Sequence, residues 1–279
     1  MLLVRITLIT PCRNAARLLP ATLASVAEQS DVKSGAVEIE HLVIDGASED
    51  DSRSVASRFP HVVFRSEPDA GMYDALVKGL ECATGEIVGY LNAGDILHPQ
   101  AFSVLREVFT RPEVHWVTGF SALVNDRLQV IAAWKPPRYR QEFILNGTYL
   151  RGHPVPGIMQ EATFWSRRLE IDFKTLRSFR LAGDYFLWCE LARQTPLHAV
   201  ESLLGFFRVH QGQLSESKQA YSDEIQSYLR NPTRRENLTA YWEFFCNPIL
   251  RGPLFRWTLP PSAGRIFRYD STSDGWKAT

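Results

Sequence analysis

The residues with the most chemistry in them come in short polar clusters, each set directly after an apolar run. Thr10-Pro11-Cys12-Arg13-Asn14 follows one run, Asp45-Gly46-Ala47-Ser48-Glu49-Asp50 a second and Asn92-Ala93-Gly94-Asp95 a third. Glu67-Pro68-Asp69-Ala70-Gly71 adds further carboxylates, and Asp184 stands behind Gly183. Carboxylates such as Asp45 and Asp69 accept hydrogen bonds from a nucleobase N–H or a ribose hydroxyl, and Arg13 donates to a carbonyl or phosphate oxygen. A site of carboxylates with one arginine suits an anionic ligand that arrives with a divalent cation, because hard cations take oxygen ligands and bridge phosphates. Any one cluster also reads as an ordinary helix cap, since Asp, Asn and Ser are common N-cap residues. Three at alternate strand ends, with a further acidic cluster, point to a shared ligand site.

Positioning these clusters requires a scaffold, and the first 120 residues supply the pattern of one. Short apolar runs alternate with helical periodicity, the signature of a parallel sheet. Strands are predicted over Leu3–Thr10, Glu38–Ile44, His61–Arg65 and Ile87–Leu91, and helices over Leu18–Ala27, Asp51–Arg58 and Met72–Cys82. In such sheets ligands bind beyond the carboxyl ends of the strands, where the clusters fall. Tyr73 and Asp74 open the third helix, where backbone N–H groups and the helix dipole favour an anion. Asp184 is expected to cap a helix running to about Gln194, with Leu187, Trp188 and Leu191 on its apolar face. Arg208 and His210 lie two apart, so a strand would aim both at one side, where they would neutralise an anion.

Composition excludes several classes. The 279 residues carry 31 Lys+Arg against 31 Asp+Glu, a formal charge of zero, which rules out a strongly basic nucleic-acid binder. The longest apolar runs fall far short of the roughly 20 residues of a bilayer span. Met1 to Thr10 has no basic lead-in or small-residue cleavage site and reads as a strand, so a cytoplasmic location is expected. Cys12, Cys82, Cys189 and Cys246 stand far apart, without the pairing of a zinc site or a disulfide framework. Neither G-x-G-x-x-G after the first strand nor a P-loop is present.

Taken in order, these motifs resemble a known family. Thr10 to Asn14, Val43 to Asp50, Ser66 to Ala75, Gly85 to Asp95 and Ala182-Gly183-Asp184-Tyr185-Phe186-Leu187-Trp188 are similar to those of family 2 inverting glycosyltransferases. The resemblance covers about residues 4–215. It implies the α/β nucleotide-diphospho-sugar transferase (GT-A) fold, a Rossmann-like, mostly parallel central sheet flanked by helices. Residues 1–120 would form the nucleotide-sugar half and 121–215 the acceptor half. By the same resemblance Pro11, Arg13, Asp45 and Asp69 would contact base and ribose, and Asp184 would be the general base. The reaction would transfer a sugar from a nucleotide-diphosphate sugar to a saccharide or lipid-linked saccharide hydroxyl, in bacterial surface polysaccharide or glycolipid assembly.

The family's Leu-Asp-x-Asp-Asp stands here as Leu91-Asn92-Ala93-Gly94-Asp95, so Mg²⁺ or Mn²⁺ is expected on Asp95 with Asn92, joined by His210, in a poorer cage than usual. Met159 to Trp165 resembles the acceptor-side strand, with Met159 in place of the usual His and with Gln160 and Glu161 as acceptor contacts. Two rival classes are weighed. A sugar nucleotidyltransferase would carry a glycine-rich first loop, which Thr10 to Ala16 lacks. A catalytically impaired sugar-binding or scaffold protein would be consistent with the altered metal motif.

Residues 216–279 are expected to form a helical, aromatic and basic extension. From Gln226 onward, Arg230, Arg234, Arg235, Arg251, Arg256, Arg265, Arg268 and Lys277 face four acids, Glu236, Glu243, Asp270 and Asp274. Such a tail can lie on a membrane surface, pack on the catalytic domain or join two subunits.

Overall fold

The computed structural model describes residues 3–150, 156–210, 213, 217–245 and 260–279. The turn-forming stretch 151–155, most of the expected closing loop after His210, and Arg251, Phe255, Arg256 and Trp257 of the extension lie outside the described residues.

The first half alternates as the sequence predicts: β1 (Val4–Cys12), α1 (Leu19–Ala27), α2 (Ser30–Lys33), β2 (Val37–Asp45), α3 (Ser52–Ala56), β3 (Val62–Ser66), α4 (Met72–Cys82), β4 (Ile87–Tyr90), β5 (Ile96–Leu97) and α5 (Ala101–Val108). Then come β6 (Trp116–Thr118), β7 (Ser121–Val124), β8 (Val130–Trp134), α6 (Gln141–Leu145), a 3-10 turn at Gln160–Ala162, β9 (Thr163–Ser166), α7 (Phe173–Leu176) and α8 (Gly183–Ala192). The remaining elements are β10 (His198–Val200), β11 (Gly205–Arg208), α9 (Lys218–Gln226), α10 (Arg234–Phe245), β12 (Ile266–Asp270) and β13 (Gly275–Ala278).

Among the described residues nine strands form the main sheet, in the order β13-β12-β10-β6-β9-β4-β1-β2-β3. β1 is covered on both faces, so its residues from Ile6 onward are buried without alternation, as in parallel sheets. Ile9, Val88 and Tyr90 face a core shared with α4 and α8, whereas Ile6, Leu8, Ile87 and Leu91 face one shared with α1 and α5. β3, β2, β1 and β4 run parallel, which brings their carboxyl ends to one edge. β9 runs antiparallel between β4 and β6. A second sheet, β5-β11-β7-β8, lies beside that edge.

β1 continues two residues past the predicted Thr10, because Pro11 and Cys12 stay in register with Ile44 and Asp45. The segment after Ser215 starts with helices, and its last part adds something the sequence reading did not contain: β12 pairs parallel with β10 and antiparallel with β13, completing the main sheet.

Candidate active site

A cleft of about 420 Å³ opens at the carboxyl ends of β1 and β4, between the loops after them and the N-termini of α4 and α8. Of the predicted residues, Pro11, Arg13, Asp69, Tyr73, Asn92, Asp95, Gln160, Glu161, Asp184 and His210 line it. Asp45, Asp74 and Arg208 do not.

The loops after β1 and β2 hold one another. Asn14, at φ 50°, accepts from the Glu49 N–H at 2.9 Å, and its own N–H donates to Ser48 Oγ at 2.7 Å. Asp50 accepts from the Ala16 N–H at 2.9 Å. Asp45 lies beneath this junction, 1% exposed, and its carboxylate takes the Ser48 N–H (3.0 Å), the Ser66 hydroxyl (2.6 Å), the Cys12 thiol (3.3 Å) and the Ser48 hydroxyl. Burial pushes the Asp45 carboxyl up, but these hydrogen bonds outweigh it and hold it below the ordinary carboxylate range. Burial, followed by the charge of Asp45, pushes the Cys12 thiol up, so it is an inert thiol. The expected contact of Asp45 with base and ribose is therefore corrected: its acceptors are consumed by the fold. Asp69, half-buried, lines the cleft instead. It lies against Gly46, where any Cβ would collide with its carboxylate, and it accepts from the Gly71 N–H at 3.0 Å.

Tyr73 and Asp74 diverge although adjacent. Tyr73 turns inward and donates to Leu181 O at 2.9 Å, its hydroxyl 3.4 Å from Asp184 Oδ1. Asp74 accepts from the Ala70 N–H at 3.0 Å and pairs with Arg177 at 3.2 Å and Lys78 at 3.6 Å, away from the cleft. Its expected place at the nucleotide sugar is corrected, since a helix turns successive side chains about 100° apart.

The turn after β4 is clamped from α1: Thr22 Oγ1 accepts from the Gly94 N–H at 2.8 Å and donates to Asp95 O at 2.8 Å. Gly94 sits at φ 117°, open to glycine and strained for other residues. Asp95, 4% exposed, accepts the backbone N–H of Arg208 at 2.9 Å. The Arg208 guanidinium turns instead to Asp126, at 3.1 Å. The expected role of Arg208 against an anion is thus replaced by one through its backbone. The cause is that β11 ends at Arg208, so strand alternation does not carry on to His210, which alone of the two faces the cleft.

Among the described residues no group of three or more His, Cys, Asp or Glu side chains converges as a metal cage. Asn92 Oδ1 is nevertheless buried in the cleft without a hydrogen-bond partner, while its Nδ2 donates to Gln160 Oε1 at 2.8 Å. One carboxylate and one orphaned amide oxygen fit Mg²⁺ or Mn²⁺ when ligand oxygens complete the shell, as Mg²⁺ sites commonly require. Gln160 also donates to Tyr90 O, so it props the Asn92 turn with both ends of its amide. Glu161 is buried behind it, 1% exposed.

Asp184 is the second residue of α8, whose N-cap is Ala182, so the expected capping role is corrected. Its Oδ1 accepts from Tyr221 OH at 2.7 Å and from the Tyr185 N–H at 2.8 Å. Gly183 is required by a close approach: a Cβ there would meet the Tyr73 ring at 2.6 Å. α8 is buried all round rather than along one face, including Leu187, Trp188 and Leu191. Sequence reasoning missed Arg180, Gln213 and Tyr221, which also line the cleft. Arg180, four residues before Asp184, carried a local signal; Tyr221 carried none, as it arrives from a distant helix.

A mixed sheet with an acidic cleft at its carboxyl edge, an aspartate at a helix start and a partial cation site define a nucleotide-sugar transferase fold of the GT-A type. Residues 7–160, more than half of the chain, match the family described as Glycosyl transferase family 2, and the chain belongs to that family. A PGL/p-HBAD biosynthesis glycosyltransferase of Mycobacterium tuberculosis is 32% identical over 97 residues, 33% of this chain and 36% of that protein. The match thus spans about a third of that relative's length. Among solved structures, S. aureus TarS 1-349 in complex with UDP-GlcNAc is similar at TM-score 0.60 and 12% identity, covering 88% of this chain and 75% of that one. The mannosyltransferase PcManGT from Pyrobaculum calidifontis, in complex with GDP-Man and Mn2+, is similar at TM-score 0.56 and 18% identity, covering 90% and 66%. These two likenesses are of fold.

Proposed function

We propose that the chain is an inverting glycosyltransferase that moves a sugar from a nucleoside-diphosphate sugar to an acceptor hydroxyl. The observation that carries this is the placing of Asp184, Asp69 and the Asn92–Asp95 turn around one cleft. In this reading Pro11, Arg13 and Asp69 hold base and ribose, and His210 lies beside the diphosphate. Asp184 takes the proton of the acceptor hydroxyl as that oxygen bonds to the anomeric carbon and the bond to the diphosphate breaks on the opposite face. A single displacement of this kind inverts the centre. Asp95 and Asn92 Oδ1 would hold Mg²⁺ or Mn²⁺, whose charge would stabilise the departing diphosphate.

The mycobacterial relative supports a glycolipid or other lipid-linked saccharide as acceptor. No helix among the described residues is long and apolar enough to cross a membrane. Leu238, Tyr241 and Trp242 are exposed together on α10, at spacings that share one helix face, which supports peripheral contact with a membrane surface. Asn92 in place of an acid favours, as a second reading, a protein that binds nucleotide sugars without turnover.

Replacing Asp184 by Asn separates the two readings. An enzyme keeps nucleotide affinity and loses transfer or donor hydrolysis by about 10² to 10⁴, the span of general-base catalysis. Near-normal turnover in that variant sinks the assignment of the base, and nucleotide-sugar binding without turnover in the unaltered chain supports the second reading.

A further inference from the structure

The helix that presents Asp184 is tied down by a segment beyond the family match. Glu224 of α9 accepts from three successive N–H groups ahead of α8: Arg180 at 2.7 Å, Leu181 at 2.8 Å and Ala182 at 2.7 Å. Donors at a helix start have no partner within the helix, and a carboxylate there also meets the positive end of the dipole. One turn earlier on α9, Tyr221 places its hydroxyl 2.7 Å from Asp184 Oδ1. Ile225, fully buried, seats α9, while Gln219, Ala220, Asp223 and Gln226 are exposed. Two half-buried polar side chains of this helix, Tyr221 and Glu224, therefore both end on residues 180–184.

We infer that α9 is a positioning device for the catalytic carboxylate, with Glu224 fixing the start of α8 and Tyr221 aiming Asp184. The inference rests on the reading of Asp184 as the base. Tyr221 donates to this carboxylate oxygen from α9, and the Tyr73 hydroxyl of α4, whose proton goes to Leu181 O, lies 3.4 Å from the same oxygen. Neither tyrosine needs to touch the sugar for this. Orientation of a base is worth much of its effect, because proton transfer requires hydrogen-bond distance to the hydroxyl.

The test uses the full chain, with release of UDP from UDP-GlcNAc and of GDP from GDP-mannose into water, Mn²⁺ present, and amide hydrogen exchange at residues 180–182. Tyr221→Phe is expected to lower release at saturating donor about tenfold, the order for losing a hydrogen bond to a charged group. Donor KM and amide protection should stay unchanged. Glu224→Ala should speed exchange at 180–182 and lower release, whereas Glu224→Gln, which keeps a carbonyl acceptor, should restore most of both. Release at the unaltered rate from Tyr221→Phe while Asp184→Asn is inactive overturns the inference, as does unchanged exchange in Glu224→Ala. A fully active Asp184→Asn instead overturns the base assignment itself, whatever the α9 variants do.

Discussion

Two aspartates of the same strand-end pattern do different work, and the difference lies in what surrounds each carboxylate. Asp69 faces the cleft, so Asp69→Ala is expected to cost about 1–3 kcal/mol of nucleotide affinity, the range for a hydrogen bond to a charged group, with little change in melting temperature. Asp45 is enclosed by the donors of Ser48, Ser66 and Cys12. Asp45→Ala removes the charged acceptor of these hydrogen bonds and should lower unfolding free energy by about 1–3 kcal/mol in denaturant titration. Calorimetry that ranks the two substitutions the other way would reverse the assignment. At Asn92 the orphaned Oδ1 makes a third case. Asn92→Asp should tighten Mn²⁺ binding in the presence of UDP, since a carboxylate is a stronger ligand for a hard cation than an amide oxygen. Equal Mn²⁺ affinity in the two proteins would place the cation elsewhere.

At the scale of elements, the sheet and its polar edge were legible because apolar runs ended abruptly at Thr10, Asp45 and Leu91, and a strand end in an α/β sheet has a known relation to ligands. What stayed hidden depended on rotation or distance. Which of Tyr73 and Asp74 faces inward is set by how α4 rolls against Gly183, and the pairing of Tyr221 with Asp184 spans 37 residues. The final hairpin did leave a trace, in the Asp274-Gly275 turn between residues rich in aromatics. Gly183→Ala tests the α4–α8 contact: its Cβ must displace the Tyr73 ring, so activity should fall with donor affinity kept. β2 carries another buried device. His41, fully buried against Thr10 Oγ1 (2.9 Å) and stacked on His61, is pushed down to about 3, first by burial and then by His61. As pH falls below about 6.5 the unfolded chain takes up a proton that folded His41 refuses. Stability conferred by the neutral form is complete above that pH and drains away toward about pH 3, at up to about 1.4 kcal/mol per unit. Denaturation midpoints measured between pH 7 and 4 should slope accordingly, and His41→Leu should flatten that slope; an unaltered slope would assign it to other groups.

Over the whole molecule, the nine strands are laid down out of order. One side of the sheet comes from β1 to β4 and its middle from β9, while the flank beyond β10 comes from β12 and β13, with Arg138 reaching Gly264 O and Thr279 O at 3.0 Å across the same flank. That order has a consequence in time. β1, β2 and β3 pair with their neighbours in sequence through short crossovers, but β10 has one side open until residues 266–270 arrive beside it. Contacts of large sequence separation are slow because the intervening loop entropy is lost before they form. Refolding followed by pulsed hydrogen exchange should therefore protect amides of β1, β2 and β3 before those of β12. During that interval the exposed strand β10 is a free edge, the kind of surface on which chains aggregate. Chaperone dependence during synthesis would then trace to the flank opposite the β1–β2 loops.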